Sequence, residues 1–364
     1  MVAIFCYRKN HIKTFYLLMK KLLYIASAIV FTACGSTKET ASIEIGKTID
    51  HADKFAKTIT AKDLAKHLFI YASDEFEGRN TGEPGQKKAV KYLKDFYINQ
   101  QIKSPLGGTN YFQEVPSAFL SKNRYDLVLK DSENVLAFIK GSEKPDEIII
   151  ISAHLDHEGI KDGQIYNGAD DDGSGTVAIL EIAEAFKKAA DAGKGPKRSV
   201  LFLHVTGEEK GLLGSKYYSE NPIFPLKNTV TDLNIDMIGR VDKAHKETPN
   251  YLYLIGADKL STELHNISEA MNKKYTNITL DYTYNDENDP NRFYYRSDHY
   301  NFAKHNIPVI FYFNGTHEDY HKPTDTADKI NYELLENRTR LVFYTAWEIA
   351  NRENRLTVNK LAKK

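Results

Sequence analysis

Six short apolar segments that alternate with amphipathic helical patterns constrain the fold of this chain more than any other feature. The segments are residues 135–139, 148–151, 200–205, 233–237, 252–255 and 307–313, and the helical patterns are residues 176–188, 262–274 and 333–351. Continuously apolar strands that alternate with helices are typical of a parallel sheet covered on both faces. We therefore predict an α/β fold, a three-layer sandwich with a mostly parallel central sheet and helices on both faces.

The charge balance excludes one class of partner, and the cysteine usage excludes one class of metal site. The chain carries 49 Lys and Arg against 49 Asp and Glu in 364 residues, so it lacks the basic excess that a nucleic-acid surface requires. Its two cysteines, Cys6 and Cys34, precede the predicted domain. A disulfide framework and a cysteine-bound metal are therefore excluded from the folded body, and any metal must be bound by His and carboxylate side chains.

The N-terminal region has the pattern of an export signal. Met19-Lys20-Lys21 is followed by an apolar run over residues 22–33 that ends at Cys34. The run is shorter than the roughly 20 residues that span a bilayer, and residues 31–34 resemble a bacterial lipobox, in which the cysteine is lipidated after cleavage. We expect translation to start at Met19 and Cys34 to anchor the exported protein to a membrane of the bacterial cell envelope. The alternative is a buried core helix with a chance cysteine.

The rest of the chain divides by composition. Residues 35–59 are polar and are predicted to form a tether, residues 60–352 to form the ordered domain, and residues 353–364 to form a basic C-terminal tail. Thr60, with Asp63 three residues later, predicts the start of the first helix of the domain.

Polar residues that can bind a metal follow four of the apolar segments, at the point where each segment ends. They are His154 with Asp156, Glu208 with Glu209, Asp236, and the loop of residues 317–325. In open α/β sheets the ligand site lies outside the carboxyl ends of the strands. Four strands are therefore expected to bring His and carboxylate side chains to one edge of the sheet.

Two of these features indicate a bound cation. Residues 170–172 are three aspartates directly before a helix, and like charges at such short range repel unless a cation neutralises them. Asp236 interrupts an apolar strand, where an unpaired carboxylate would cost several kcal/mol of desolvation. Helix capping with a solvated loop, or a calcium loop, are alternatives for the aspartate run, although the alternating ligand spacing of an EF-hand is missing.

Residues 317–321 match H-E-x-x-H, the signature of one class of zinc peptidase. That signature requires a helix, which places both histidines on one face. Gly315 precedes the match and Pro323 follows it, and both residues disfavour a helix. We predict that this match is accidental.

The chain resembles metallopeptidase family twenty-eight, the co-catalytic di-zinc exopeptidases that include secreted bacterial leucyl aminopeptidases. The matching segments are residues 153–156, 166–175, 207–215, 234–239, 297–299 and 320–326, together with residues 72–85. They occur in the right order across the whole predicted domain. The resemblance implies the zinc-dependent exopeptidase fold and two zinc ions per chain.

The resemblance also implies a role for each motif residue. The implied zinc ligands are His154 and Asp236 for one ion, Glu209 and His321 for the other, and Asp171 for both. Glu208 would be the general base for a bridging water, Tyr320 would stabilise the oxyanion, and Asp156 would orient His154.

Three residues near these motifs have less defined expectations. Asp298 and His299 would lie on the substrate side of the site. His157 stands where many members of the family carry serine, and it is not expected to touch the metals.

The implied activity is hydrolysis of peptides from a free N-terminus, because one zinc would bind the amine of the substrate. Residues 282–296 are predicted to form a long surface loop. Its Tyr282, Tyr284, Tyr294 and Tyr295 either wall an apolar side-chain pocket or simply pack within the loop. Three alternatives remain open. They are a single-zinc glutaminyl cyclase of the same architecture, a carboxypeptidase with basic residues for a C-terminal carboxylate, and a catalytically inactive surface-binding lipoprotein.

Overall fold

An eight-stranded sheet in the order β1-β2-β6-β3-β7-β10-β8-β9 forms the centre of the molecule. The computed structural model describes residues 49–121 and 126–362. The sheet strands are β1 (Phe112–Val115), β2 (Ser132–Ile139), β3 (Lys144–His154), β6 (Arg198–Val205), β7 (Thr229–Ile235), β8 (Tyr251–Ile255), β9 (Thr279–Asp281) and β10 (Val309–Phe313). A separate two-stranded sheet joins β4 (Gly159–Lys161) to β5 (Gln164–Tyr166).

The sheet is mixed but mostly parallel. Its four central strands, β6, β3, β7 and β10, pair in parallel, whereas β2 is antiparallel to β6 and β8 is antiparallel to β10. Every residue of β6, β7 and β10 is buried, as expected for strands of a sheet that is covered on both faces. The predicted fold class is confirmed.

Helices cover both faces of this sheet. The helices are α1 (Ile49–Ala56), α2 (Ala61–Tyr71), α3 (Pro84–Asn99), α4 (Ser117–Leu120), α5 (Gly175–Asp191), α6 (Leu213–Glu220), α7 (Thr262–Met271), α8 (His299–Ala303) and α9 (Tyr332–Asn351). Alternate residues of β3 point to opposite faces. Ile149 and Ile151 pack in the core that contains α2, α5 and α9, while Ile148 and Ile150 pack with residues of α6 and α8.

Local signals placed several of these elements correctly. The Thr60 side chain accepts a hydrogen bond from the backbone N–H of Asp63, and α2 begins at the next residue, as predicted. The segment of residues 282–296 is irregular, with short 3-10 turns at Thr283–Asn285 and Phe293–Tyr295. The helix predicted over residues 262–274 is shorter, because α7 ends at Met271 and a π turn, Asn272–Thr276, follows it.

The described fold extends beyond the predicted domain boundaries at both ends. Helix α1 lies within the segment predicted as a polar tether, yet Phe55 is buried and packs on the ring of Trp347 in α9. Apolar residues recur there at helical spacing. The segment is short and mostly polar, so the sequence did not predict this helix. Near the C-terminus Leu356 is buried in the same core, and the backbone N–H of Asn359 donates to the Leu260 carbonyl. These contacts correct the predicted boundaries at residues 60 and 352.

The predicted lipobox at Cys34 lies outside the described residues. Within residues 49–121 and 126–362, no helix is both long enough and apolar enough to cross a membrane.

Candidate metal centre and substrate cleft

The carboxyl ends of the four central strands meet at one site. His154 is the last residue of β3, Glu208 and Glu209 follow β6, Asp236 follows β7, and His321 lies in the loop after β10. Because these strands are parallel neighbours in the sheet, their ends lie at the same edge. The structure thus brings together all five residues that the resemblance implies as zinc ligands.

The Asp171 carboxylate lies between two imidazoles. Its Oδ1 is 3.1 Å from Nε2 of His154, and its Oδ2 is 3.0 Å from Nε2 of His321. Asp171 is 3% exposed, so its two oxygens face the histidines with little access to water. A single carboxylate that faces a separate imidazole with each oxygen has the arrangement of a bridge between two positions.

One further carboxylate completes each of these two positions. Asp236 Oδ1 is 3.6 Å from Nε2 of His154, and Glu209 Oε2 is 3.3 Å from Nε2 of His321. His154 is buried, whereas His321 is about one-third exposed and lines the open side of the site.

A bound cation would satisfy the buried polar atoms of this site that lack hydrogen-bond partners. Nε2 of His154, Oδ2 of Asp171 and Oε1 of Glu209 are buried, and no described residue forms a hydrogen bond with them. Buried polar atoms without partners are costly, and clustered carboxylates repel each other. Imidazole nitrogens and carboxylate oxygens in such groups are the ligands that zinc prefers when cysteine is absent. The donor set therefore fits a zinc centre.

The Asp156 carboxylate accepts a hydrogen bond from Glu208 and not from His154. Nδ1 of His154 lies 3.0 Å from the backbone carbonyl oxygen of Asp156, but 3.9 Å from its carboxylate. That carboxylate accepts hydrogen bonds from the Thr81 hydroxyl and from the backbone N–H of Glu208. Asp156 therefore orients His154 through its main chain, and its side chain fixes the turn that carries Glu208.

Sequence reasoning missed two residues that position these ligands. The Ser297 hydroxyl donates to Oδ2 of Asp236 at 2.6 Å and accepts from the Asn234 side chain at 2.8 Å. The Asp172 carboxylate accepts from the backbone N–H groups of His154 and Met237. Both residues lie within segments that match the family, residues 166–175 and 297–299, but the sequence assigned neither of them this role. Their roles depend on which loops meet at the sheet edge.

The H-E-x-x-H match does not form one site. Residues 317–321 form a turn rather than a helix, so the two histidines diverge. Nε2 of His317 lies 3.2 Å from Oδ2 of Asp170, whereas His321 faces Asp171 and Glu209. The prediction that the match is accidental is confirmed.

His157 lies inside the site, a position that the sequence did not indicate. Its ring is fully buried, and its Nδ1 is 2.8 Å from Oε1 of Glu209. The short turn after β3 brings this side chain back over the carboxylates, a geometry that residue spacing alone does not reveal.

Asp298 and His299 lie behind the wall of the cleft. The Asp298 carboxylate accepts a hydrogen bond from the Ser215 hydroxyl, and burial raises its pKa to about 7. The His299 ring stacks on Phe311 at 4.9 Å, and burial lowers its pKa to about 3. Both residues therefore support the cleft from behind.

An open cleft lies beside the metal centre. Its polar side contains Asp171, Glu208, Asp236, Tyr320 and His321, and its other side contains Met237, Phe293, Phe311, Phe313 and Arg296. The predicted tyrosine wall is therefore wrong in its residues, because phenylalanines form the apolar surface. Tyr284 packs behind Phe293, at 4.7 Å between ring centroids, and the Tyr282 hydroxyl donates to Glu269.

Two cleft residues have altered proton affinities. Burial raises the pKa of the Glu208 carboxyl well above its usual value; His154 opposes this rise, and Glu209 and Asp236 add to it. Burial also raises the pKa of the Tyr320 hydroxyl, and the negative charges of Asp171 and Glu209 raise it further. Tyr320 therefore keeps its proton at neutral pH and can donate a hydrogen bond.

Known proteins resemble this chain in sequence and in fold. The sequence profile of Peptidase family M28 matches residues 134–346. Leupeptin-inactivating enzyme 1 of Streptomyces exfoliatus is 28% identical over 309 residues, which are 78% of this chain and 59% of that protein. A protein of Trichophyton verrucosum named "Probable leucine aminopeptidase" is 30% identical over 224 residues, which are 60% of this chain and 57% of that protein. The chain thus spans less than two thirds of the length of these relatives.

Solved structures share the fold at lower sequence identity. The LapA aminopeptidase of Legionella pneumophila superposes with a TM-score of 0.64 at 22% identity, over 85% of this chain and 77% of that one. BSAP, a zinc aminopeptidase from Bacillus subtilis, superposes with a TM-score of 0.62 at 16% identity, over 83% of this chain and 98% of that one.

Proposed function

Because the chain belongs to peptidase family M28, we propose that it is a zinc aminopeptidase with two metal ions, which removes N-terminal residues from peptides. The observation that carries this proposal is the Asp171 carboxylate, placed 3.1 Å from one imidazole and 3.0 Å from another. A carboxylate that faces two imidazoles in this way can bridge two cations that lie side by side.

Each of the five residues implied as ligands would then bind a zinc ion. His154 and Asp236 would hold one zinc, Glu209 and His321 would hold the other, and Asp171 would contact both. When bound, such a metal pair lowers the pKa of a water and polarises the scissile carbonyl group. The remaining chemistry belongs to side chains that line the cleft.

Glu208 is the proposed general base. Its carboxyl lines the cleft beside Asp171 and Asp236, and the hydrogen bond from its backbone N–H to Asp156 fixes its position. The carboxylate takes a proton from the attacking water and later delivers it to the leaving amine.

Tyr320 is the proposed oxyanion donor. Its ring stacks on that of His321 at 3.9 Å between centroids, so the hydroxyl stays close to the metal centre. The proton that Tyr320 retains can be donated to the oxygen on which negative charge develops. Such preorganised donors are worth roughly 10²–10³ in rate.

The apolar wall indicates which substrates are accepted. Met237, Phe293, Phe311 and Phe313 form an apolar surface directly beside the metal centre. The side chain of the N-terminal residue must lie next to the bond that is cut. We infer that the protein prefers substrates with a large apolar N-terminal residue.

A four-peptide assay tests which end of the substrate is read. One peptide sequence is prepared with free and acetylated N-termini, and with free and amidated C-termini. Acetylation should abolish cleavage, because an amide nitrogen cannot bind a metal as a free amine does. Amidation should leave the rate nearly unchanged. Equal cleavage of the acetylated and free peptides would contradict the aminopeptidase proposal.

Carboxypeptidase activity is the second candidate, and one residue favours it. Arg296 is the only Lys or Arg among the described residues that line the cleft, and a C-terminal carboxylate requires such a cation. If amidation rather than acetylation blocks cleavage, this candidate replaces the first. The glutaminyl cyclase alternative is tested separately by elemental analysis, because it requires one zinc per chain.

The location of the protein is a separate proposal. We propose that Cys34 carries a lipid that anchors the exported protein to a membrane of the cell envelope. The support is the short apolar run over residues 22–33 that ends at this cysteine. Mass spectrometry of the mature protein should find an acylated Cys34 as its first residue. A mature chain that retains residues 20–33 would contradict the proposal.

A further inference from the structure

The His157 ring is held rigidly at the metal centre. It is fully buried, and its backbone N–H donates to the Arg79 carbonyl. Gly168, which has a φ of +54°, lies so close that a Cβ there would approach the ring to 2.5 Å. The ring also meets that of His321 edge-on at 5.8 Å. Packing therefore fixes this imidazole in one orientation.

Two imidazoles approach the same pair of carboxylates. Nδ1 of His157 is 2.8 Å from Oε1 of Glu209 and 3.8 Å from Oδ2 of Asp171. Nε2 of His321 is 3.3 Å from Oε2 of Glu209 and 3.0 Å from the same Oδ2 of Asp171. Nδ1 of His157 also lies within 4.8 Å of one oxygen of each carboxylate, a spacing that one metal ion can span.

Hydrogen bonding does not account for this imidazole. Neither ring nitrogen of His157 forms a hydrogen bond of acceptable geometry with any described residue. A fully buried imidazole whose short contacts with carboxylates lack hydrogen-bond geometry is costly. A metal ion between Nδ1 and the two carboxylates would satisfy it.

We propose that His157 is a ligand of the zinc held by Asp171, Glu209 and His321. That zinc then has four protein ligands, the number that fills a tetrahedral zinc site. The other zinc has three, His154, Asp171 and Asp236, and keeps an open position. This inference rests on the proposed two-zinc centre, but it concerns the ligand set and not the reaction.

X-ray absorption at the zinc edge of the zinc-loaded full chain tests the proposal directly. Scattering from imidazole rings counts histidine ligands, and the proposal requires three imidazoles shared between two zinc ions. His157→Gln should reduce that number to two. His204→Gln is the matched control, because His204 is equally buried but bonds to Tyr97, away from the site. This control should leave the number unchanged.

A competition titration with a chromophoric chelator gives the second readout. His157→Gln and His157→Ala should each weaken one zinc by at least tenfold and leave the other zinc unchanged. If His157 only orients Glu209 by a hydrogen bond, the wild-type protein will show two imidazoles, and His157→Gln will leave that number unchanged. Two imidazoles in the wild-type protein, or an unchanged number of imidazoles in His157→Gln, would overturn the proposal. Neither readout depends on peptide cleavage, so failure of the aminopeptidase proposal would be recognised separately.

Discussion

The Arg79 guanidinium donates a hydrogen bond to the Gly168 carbonyl at 2.8 Å, three residues before Asp171. The same fully buried side chain also donates to the carbonyls of Asn167, Leu155 and Tyr71. Arg79 therefore ties the end of β3, which carries His154, to the loop that carries Asp171. It joins two parts of the centre that are distant in sequence.

Replacing this arginine with lysine should weaken both the fold and the metal site. Lysine keeps the charge but cannot reach four carbonyl groups in the fork geometry of a guanidinium. We expect Arg79→Lys to lower the free energy of unfolding by about 2–4 kcal/mol and to weaken zinc binding. Urea unfolding and a chelator titration measure the two effects.

Arg198→Lys is the control for this substitution. Arg198 is as buried as Arg79 and also donates to backbone carbonyls, but it begins β6 at the opposite edge of the sheet. It should lower stability without changing zinc affinity. Equal zinc affinity in wild-type protein and Arg79→Lys would show that Arg79 does not support the centre.

Glu208→Gln should separate catalysis from metal binding. Glutamine preserves the shape of the side chain but cannot accept the proton, and a general base contributes typically about 10²–10⁴ in rate. We expect kcat to fall by that factor while the zinc content stays at the wild-type value. Glu209→Gln, at the neighbouring position, should instead lose zinc. Wild-type kcat in Glu208→Gln would remove Glu208 from its role.

Phe293→Ala should change substrate preference. Phe293 belongs to the apolar wall and packs against Phe313 at 5.0 Å between ring centroids. Truncation removes surface that an apolar N-terminal side chain would contact, a loss of roughly 10–200-fold in kcat/KM. The comparison uses peptides that differ only in an N-terminal leucine or alanine. A proportional loss for both peptides would assign Phe293 a structural role instead.

Glu181 should make stability depend on pH. It lies in α5, where its Oε1 is 3.6 Å from Nε2 of His67, and burial raises its pKa to about 8. The folded protein thus holds a proton that the unfolded chain releases above its ordinary pKa of 4.5. The contribution of protonated Glu181 to the free energy of unfolding is therefore complete below pH 4.5. That contribution is lost as the pH rises towards 8.

The neutral isostere Glu181→Gln measures this effect. It should match the wild-type protein near pH 5 and exceed its free energy of unfolding by roughly 3 kcal/mol at pH 8. Urea unfolding of the zinc-loaded proteins at both pH values gives the difference. The exposed Glu220 serves as control, and Glu220→Gln should show no such dependence. The same difference at both pH values would contradict the raised pKa.

The fold class and the convergence of the site residues could both be predicted from the amino-acid sequence. Continuous apolar runs mark buried parallel strands, and a polar residue directly after such a run must lie at the carboxyl edge of the sheet. His154, Asp236 and the Glu208-Glu209 pair could be placed by this local rule. Helix α2 was located by its Thr60 cap for the same reason, because capping depends on residues three apart.

Which side chains complete the site became clear from the three-dimensional arrangement of the loops. His157 turns back onto Glu209, Ser297 reaches Asp236, and Phe293 lies beside the metal centre because separate loops fold over one sheet edge. Helix α1 was missed because its apolar stripe is short and is stabilised by α9, which follows it by almost the whole chain. Hydrophobic periodicity depends on residues that are close together in the sequence. These contacts join segments that are far apart in the sequence, so residue spacing could not predict them.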